Sequence, residues 1–484
     1  MKKFDNERNL SMLMDFYELT MANGYFNDGL KDQVVCFDMF YRKNPDGAGF
    51  SIAAGLDQII QYINELSFTE NNIEYLRSKG IFSEDFLDYL LNFEFTGDIY
   101  AVPEGTPVFP GEPLLTVRAK ALEAQILETM ILVTLNHQCL IATKANRICT
   151  SAKGRPVMEF GARRCQGYDG AIYGARAAYI GGVAGTATTL ADEKFGVPAV
   201  GTMAHSWVQL YGDEYTAFKK YAECYPDNCL LLIDTYNILN SGLPNAMKVA
   251  KDVLEPLGQR LKGVRIDSGD MAYLTKKCRK ILDENGFEDC KITVSNSLDE
   301  YLIRDLLNQG AAIDSFGVGE RLVTAKSEPV FGGVYKLVAV QSEDEYLPRI
   351  KISENPEKVT NPGFKKIYRL FDKTSKKAIV DVITLVDEII DDSKPYIIFD
   401  PVHTWKKKTL TNFTAVELQK PIFKDGEQVY TSPSLNEIRK YSSIQLSTLW
   451  SEVKRFSNPH QYYVDLSPKL WNMKHDLIEK YSMK

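Results

Sequence analysis

Between residues 155 and 323 one short pattern recurs: a brief apolar run, then glycine or a polar cluster, then a stretch at helical spacing. The apolar runs end at Phe160, Thr202, Asp234, Asp267, Ser295 and Gly317, at intervals of 42, 32, 33, 28 and 22 residues. Strands covered on both faces read as short, nearly continuous apolar runs. One strand–loop–helix unit of a parallel barrel takes roughly 30 residues. The 42-residue interval has room for a further short strand near Val183. Helices fit between the strands, for example at 244–257 and 298–307. Six or seven such units restrict the chain to the α/β class. They suggest a TIM-like parallel α/β barrel more than an open doubly wound sheet.

The flanks differ from this pattern. Residues 1–95 read as mostly helical, and 10–26 places apolar residues at helical spacing. The stretch 97–119 is punctuated by Pro and Gly and rich in strand formers, which predicts a small sheet. Residues 121–151 form one long helical pattern, with Glu and Gln early and Lys and Arg late, as the helix dipole favours. Past Pro329 the spacing predicts strands at 332–340 and 366–371, around a charged, Pro-punctuated stretch at 341–366. An amphipathic helical tail runs from about Ser434.

Composition narrows the partners. A net charge of −7 excludes nucleic acid as the main ligand, so any anion must meet a local positive field. The eight cysteines contain no CxxC pair and read as reduced thiols of a cytoplasmic protein. The Lys-rich N-terminus lacks an apolar signal core, and no run of about 18 apolar residues predicts a membrane span.

Parallel-barrel active sites sit at the C-terminal strand ends. Collected there are Arg163, Arg164, His205, Asp234, Arg265, Asp267, Ser268, Ser295, Asn296, Gly317 and Gly319. The FGVG segment at 316–319 is either a phosphate-facing turn or only a turn. Arg163 and Arg164 are either an anion contact or a solvated pair. In VRIDSGD (264–270) charge alternates with apolar residues inside a buried strand, where an unpaired charge costs several kcal/mol. Arg265 and Asp267 therefore form a structural salt bridge or belong to a site. His205 alone would read as a structural histidine. The coincidence of these groups at successive strand ends favours function.

With DFYELTM (15–21), EFGARR (159–164), GTMAH (201–205), IDTY (233–236), VRIDSGD (264–270), FGVG (316–319) and NPG (361–363) in order, the chain resembles the nicotinate phosphoribosyltransferase family over nearly its whole length. The resemblance implies an incomplete barrel and a second α+β domain built from both chain ends. The divisions are an N-terminal α+β domain at 1–150, a barrel-like catalytic domain at 151–328, and a C-terminal β-then-helical region at 329–484 that packs with the N-terminal domain. It implies a homodimer with shared sites. The implied reaction joins nicotinate to 5-phosphoribosyl 1-diphosphate, giving nicotinate mononucleotide and diphosphate in NAD synthesis. ATP hydrolysis is coupled to it through a phosphohistidine, which His205 matches.

Under the same resemblance Asp234 and Asp267 are catalytic carboxylates near the ribose and a Mg²⁺ ion, which they hold through water. Two acids suffice, because magnesium keeps waters and phosphate oxygens. Arg163, Gly317 and Gly319 match phosphate contacts. Phe160 and Tyr17 match an aromatic pair around the pyridine ring, with Tyr17 supplied by the other subunit. Thr202 and Arg265 match nicotinate contacts, and Ser295 and Asn296 complete the substrate-binding rim. Two positions depart from the pattern. Glu320 stands where relatives carry Thr, so the expected hydroxyl contact moves to Thr324. Phe364 follows NPG where Arg is common. At GTAT (185–188), Ala187 stands where nicotinamide-specific enzymes carry Asp, which favours the acid substrate. The rival readings are a nicotinamide-specific enzyme, a barrel lyase or phosphohydrolase of sugar phosphates, and a nucleotide-binding regulator.

Overall fold

The computed structural model describes residues 8–482; the Lys-rich N-terminus lies outside them. The chain divides into a central unit, Ile141–Pro329, and an outer unit made of the residues up to Leu140 together with Val330 onward. The first division falls inside a long helix, where the sequence pattern placed it at the helix's end.

The central unit contains six parallel strands: β1 (Val157–Glu159), β2 (Gly185–Thr186), β3 (Leu230–Leu232), β4 (Gly263–Ile266), β5 (Lys291–Asn296) and β6 (Ser315–Val318). Across the sheet they run β2-β1-β6-β5-β4-β3. Every pairing is parallel, so all C-terminal ends share one rim. Beyond β2 a single parallel bridge joins Thr186 to Ala199. No ladder among the described residues joins Ala199 to β3, so the α/β barrel is incomplete.

The strand expected to end at Thr202 is therefore only that bridge. Pro198 lacks an N–H to donate and Gly201 interrupts the run, and both weaken a ladder. The strand anticipated near Val183 is β2. It lies so close to the next segment that a Cβ on Gly185 would meet the Pro198 carbonyl oxygen at 2.6 Å. The helix expected at 244–257 is Leu243–Val249, which widens into a π-type turn at Ala250–Leu254 and tightens at Glu255–Leu257. Pro256 cannot continue the regular helical hydrogen bonding. The second expected helix is Glu300–Asn308.

The outer unit contains a seven-stranded sheet from both chain ends. Val34–Phe40, Asp98–Ala101 and Leu115–Lys120 come from before the central unit, and Val334–Ser342, Glu345–Pro348, Lys420–Lys424 and Glu427–Gln428 from after it. A four-stranded sheet includes Lys365–Asp372 and Ala378–Leu385 and buries Leu370, Val380, Val382 and Phe413. Val34–Phe40 corrects the mostly helical reading of 1–95. It is buried on both faces, so it lacks the alternation that marks a half-exposed strand. Its buried Asp38 pairs with Lys365 at 2.8 Å.

The first helix, Phe16–Asn27, begins later than the spacing predicts, because Asp15 and Glu18 form a capping box there. The long pattern at 121–151 is two helices, Ala121–Gln125 and Glu128–Ser151. By length and composition this segment could cross a bilayer, but most of it is buried inside the protein, as in a core helix. The tail consists of helices Leu435–Thr448 and Pro468–Ser482, the former capped by Ser434.

Candidate active site

The rim gathers its acids at the ends of β3 and β4. Asp234 follows β3, and its Oδ2 accepts the Asp267 N–H at 3.0 Å and the Ser268 hydroxyl at 2.7 Å. Its other oxygen, Oδ1, is buried without a hydrogen-bond partner. His205 Nε2 lies 3.9 Å from that oxygen, beyond hydrogen-bond reach. The imidazole is 40% exposed, and its Nδ1 is 3.2 Å from Thr235 Oγ1. Asp267 accepts the Ser295 hydroxyl.

Arg265, on β4, does not form the structural salt bridge that the alternation allowed. Its Nη1 donates to Thr202 Oγ1 at 3.0 Å and its Nη2 to the Met203 carbonyl at 2.9 Å, across the unclosed edge of the sheet. Arg265 Nε is buried without a partner. Burial pulls this guanidinium below its ordinary range; Arg163 adds to the effect, and Asp267 and Asp234 oppose it. Arg163 itself lies with Arg164 in an exposed turn, Ala162–Arg164.

At β1 and β6 the rim is shaped by close packing. Phe160 donates its N–H to the Val318 carbonyl at 2.8 Å. A Cβ on Gly317 would sit 2.5 Å from the Phe160 ring, and one on Gly319 would sit 3.1 Å from the Phe160 carbonyl oxygen. Gly317 therefore makes room for the ring. Asn296, at the end of β5, holds φ at 128°, a region that favours glycine; its side chain accepts the Ser297 N–H at 2.6 Å.

The Glu320 carboxylate turns to Lys326 at 2.6 Å, which holds it below the usual carboxylate range. Thr324, expected to supply the hydroxyl at the glycine turn, is engaged locally. It ends the short helix Glu320–Val323 and donates to the Glu320 carbonyl at 2.7 Å.

A cavity of about 790 Å³ adjoins the segment that leads to His205, lined by Thr202, Met203, Ser206, Trp207, Tyr221 and Tyr225 among others. Tyr17 belongs to the outer unit, on the helix Phe16–Asn27, and is 44% exposed. Sequence reasoning passed over Thr235, the imidazole's partner, and over Glu159 and Thr186. The sequence signal for Glu159 is a carboxylate inside the apolar run VMEF.

An incomplete parallel barrel thus gathers acids, arginines and an imidazole on one rim, as barrel enzymes do. The crystal structure of human nicotinic acid phosphoribosyltransferase superposes with a TM-score of 0.84 at 29% identity, covering 96% of this chain and all of that one. The nicotinate phosphoribosyltransferase N-terminal domain profile matches residues 12–136, the family profile 156–378, and the C-terminal domain profile 364–474. The nicotinate phosphoribosyltransferase of Bacillus subtilis (strain 168) is 45% identical over 473 residues, 97% of this chain and 96% of its own length. The Homo sapiens enzyme is 31% identical over 95% of each chain. The chain belongs to the nicotinate phosphoribosyltransferase family.

Proposed function

We propose that this chain joins nicotinate to 5-phosphoribosyl 1-diphosphate, releasing diphosphate, and couples the transfer to ATP hydrolysis through a phosphohistidine at His205. The observation that carries this reading is that Asp234 and Arg265 stand on one rim with Asp267 and His205, bound to hydroxyls and backbone rather than to each other, with Asp234 Oδ1 and Arg265 Nε open. Buried polar atoms without partners are costly, and both lie at the C-terminal strand ends, where parallel-barrel sites form. Asp234 Oδ1 and Asp267 fit a magnesium ion carried in on the diphosphate, since Mg²⁺ needs only one or two carboxylates beside phosphate and water. Among the described residues no cluster of three acidic, His or Cys ligands forms a protein-only cage. When bound, the ion neutralises charge on the diphosphate leaving group.

The chain's own residues supply the rest. Arg265 uses two of its guanidinium N–H groups on Thr202 and Met203, and the remainder are available to the nicotinate carboxylate. Phe160 offers a ring face, held in place by Gly317. Alignment of ring nitrogen and sugar carbon, with charge stabilisation of the leaving group, supplies the acceleration. His205, as a neutral ring, forms the N–P bond as the bond to ADP breaks, and water later takes the phosphoryl group. Phosphorylation adds roughly two negative charges beside the rim, which orders the site for the diphosphate substrate. The eight cysteines form no disulfide, which supports a reducing, cytoplasmic setting; the proposed product, nicotinate mononucleotide, would serve NAD synthesis there.

The outer unit exposes Leu13, Phe16, Tyr17 and Met21 together on and just before its first helix. That face supports a homodimer in which Tyr17 of the partner subunit closes the pyridine site. Steady-state formation of nicotinate mononucleotide, with and without ATP, tests the assignment. Turnover is expected in both conditions and is faster with ATP. His205→Ala loses the ATP stimulation and keeps the slow transfer. No product from nicotinate under either condition refutes the reading.

A further inference from the structure

Glu159 is a carboxylate with no exposure at all, the last residue of β1, and no role follows for it from the chemistry above. One of its oxygens accepts the Gly161 N–H and the other accepts the Thr186 hydroxyl at 2.6 Å. Its backbone carbonyl accepts the Ala187 N–H at 2.8 Å. Thr186 Oγ1 in turn accepts the Thr188 N–H at 3.0 Å. Neither Glu159 oxygen is left open, in contrast to Asp234. Burial pushes the Glu159 carboxyl up, while the Thr186 and Gly161 bonds pull it back. The fit at Gly161 is close: a Cβ there would meet Glu159 Oε1 at 2.8 Å and Val323 Cγ1 at 2.2 Å.

These bonds reach two segments. One is the Phe160-Gly161 turn, which carries the ring face. The other is Thr186-Ala187-Thr188, which carries Ala187, the position at which the family resemblance implies the choice between acid and amide substrates. A buried carboxyl has a desolvation cost, and an apolar residue would fill the same strand position without it. The backbone bond from Ala187 already pairs the two strand ends, and this side chain adds the tie that runs from the Gly161 N–H to the Thr186 hydroxyl.

We propose that Glu159 is a positioning residue that locks the Phe160 turn to the Thr186–Thr188 loop, and so sets both the fit of the pyridine ring and the preference for nicotinate over nicotinamide. The proposal rests on the nicotinate-transfer reading above. Loosening the lock lets ring and loop drift apart, and small misplacements at a reacting centre have large kinetic effects. Phosphoribosyl diphosphate shares Arg163, just past this turn, but is held as well on the Asp234 and Asp267 side of the rim, so it is affected less.

The test uses the full-length enzyme with Thr186→Val, Thr186→Ser, Glu159→Gln and the Glu159→Gln/Thr186→Val double variant. KM and kcat are measured for nicotinate, nicotinamide and phosphoribosyl diphosphate. Thr186→Val is expected to raise KM for nicotinate about tenfold, the scale of one buried hydrogen bond. It should lower nicotinate-over-nicotinamide discrimination by a similar factor and leave KM for phosphoribosyl diphosphate within about twofold. Thr186→Ser should restore wild-type values, and the double variant should be no worse than its worse single parent. Equal rises in both substrate KM values, additive single effects, or unchanged discrimination overturn the proposal. So does failure of both Glu159→Gln and Thr186→Val to fold, which makes the group purely structural. A wild-type enzyme that does not use nicotinate overturns the parent reading instead.

Discussion

Two arginine–aspartate sites in this chain, one buried and one half-buried, are built in opposite ways. In the outer unit Arg369 and Asp381 face each other on paired antiparallel strands, both with no exposure. The guanidinium donates twice to the carboxylate, at 2.8 and 2.6 Å, and once to the Pro107 carbonyl at 2.8 Å. Tyr462 adds its hydroxyl to the same carboxylate at 2.9 Å, and Glu112 beside them is pushed well up by burial and by Asp381. In the central unit Arg265 and Asp267 lie two positions apart on the same strand run, yet each is bound to something else. An open atom alone does not separate the two sites, since Arg369 Nη1 also lacks a partner. The separation is that Arg369 and Asp381 are closed on each other, while Arg265, Asp234 and Asp267 are held apart by neutral hydroxyls and backbone. Charges closed on each other specify a fold; charges held apart retain capacity for a ligand.

That contrast is exposed to direct tests. Asp381→Ala leaves a fully buried guanidinium unpaired and is expected to remove about 3–5 kcal/mol of stability, read from urea denaturation. A loss below about 1 kcal/mol would place Arg369 in the same held-open class as Arg265. Ala187→Asp sets a carboxylate beside the proposed nicotinate site. Like-charge contact should lower kcat/KM for nicotinate by about 10- to 100-fold, roughly 1.4–2.8 kcal/mol, and raise relative use of nicotinamide. No change would show that the rim on that side does not face the substrate's acid group.

The smallest effect concerns Glu18, a buried carboxyl of the outer unit. Burial pushes its pKa from 4.5 to about 7, although hydrogen bonds from Thr129 and the Asp15 backbone oppose the shift. A carboxyl with a raised folded pKa contributes stability that is complete below pH 4.5 and is lost as pH rises through about 7. Melting temperatures of wild type and Glu18→Gln should therefore diverge between pH 5 and 8, with the wild type falling relative to the variant. Parallel curves would remove Glu18 from the account.

The sequence made the central unit far more legible than the outer one. Short apolar runs ending at Asp234, Asp267, Ser295 and Gly317 mark buried parallel strands, and their ends carry most of the rim. The same logic overextended Ala199-Val200, because it could not weigh Pro198 and Gly201 against the run. In the outer unit Val34–Phe40 is a central strand buried on both faces, so its sequence carries no period to read. Its partners Leu115–Lys120 and Val334–Ser342 lie far along the chain on either side, a pairing that local pattern does not reveal. At the rim, residue types were legible and bonding was not. VRIDSGD allowed an Arg265–Asp267 bridge, and only the fold shows Arg265 crossing the open edge to Thr202. Thr235 and Glu159 find their partners, His205 and Thr186, on other segments, which spacing alone does not report.

The most direct measurement pairs turnover with stability in Asp234→Asn. The substitution keeps an acceptor for Ser268 and for the Asp267 N–H and turns the open oxygen into an uncharged amide NH2. The account predicts that nicotinate mononucleotide formation falls by about 100-fold or more, while the unfolding free energy changes by less than about 1 kcal/mol. Full turnover in Asp234→Asn, or a loss of stability as large as that of Asp381→Ala, would contradict it.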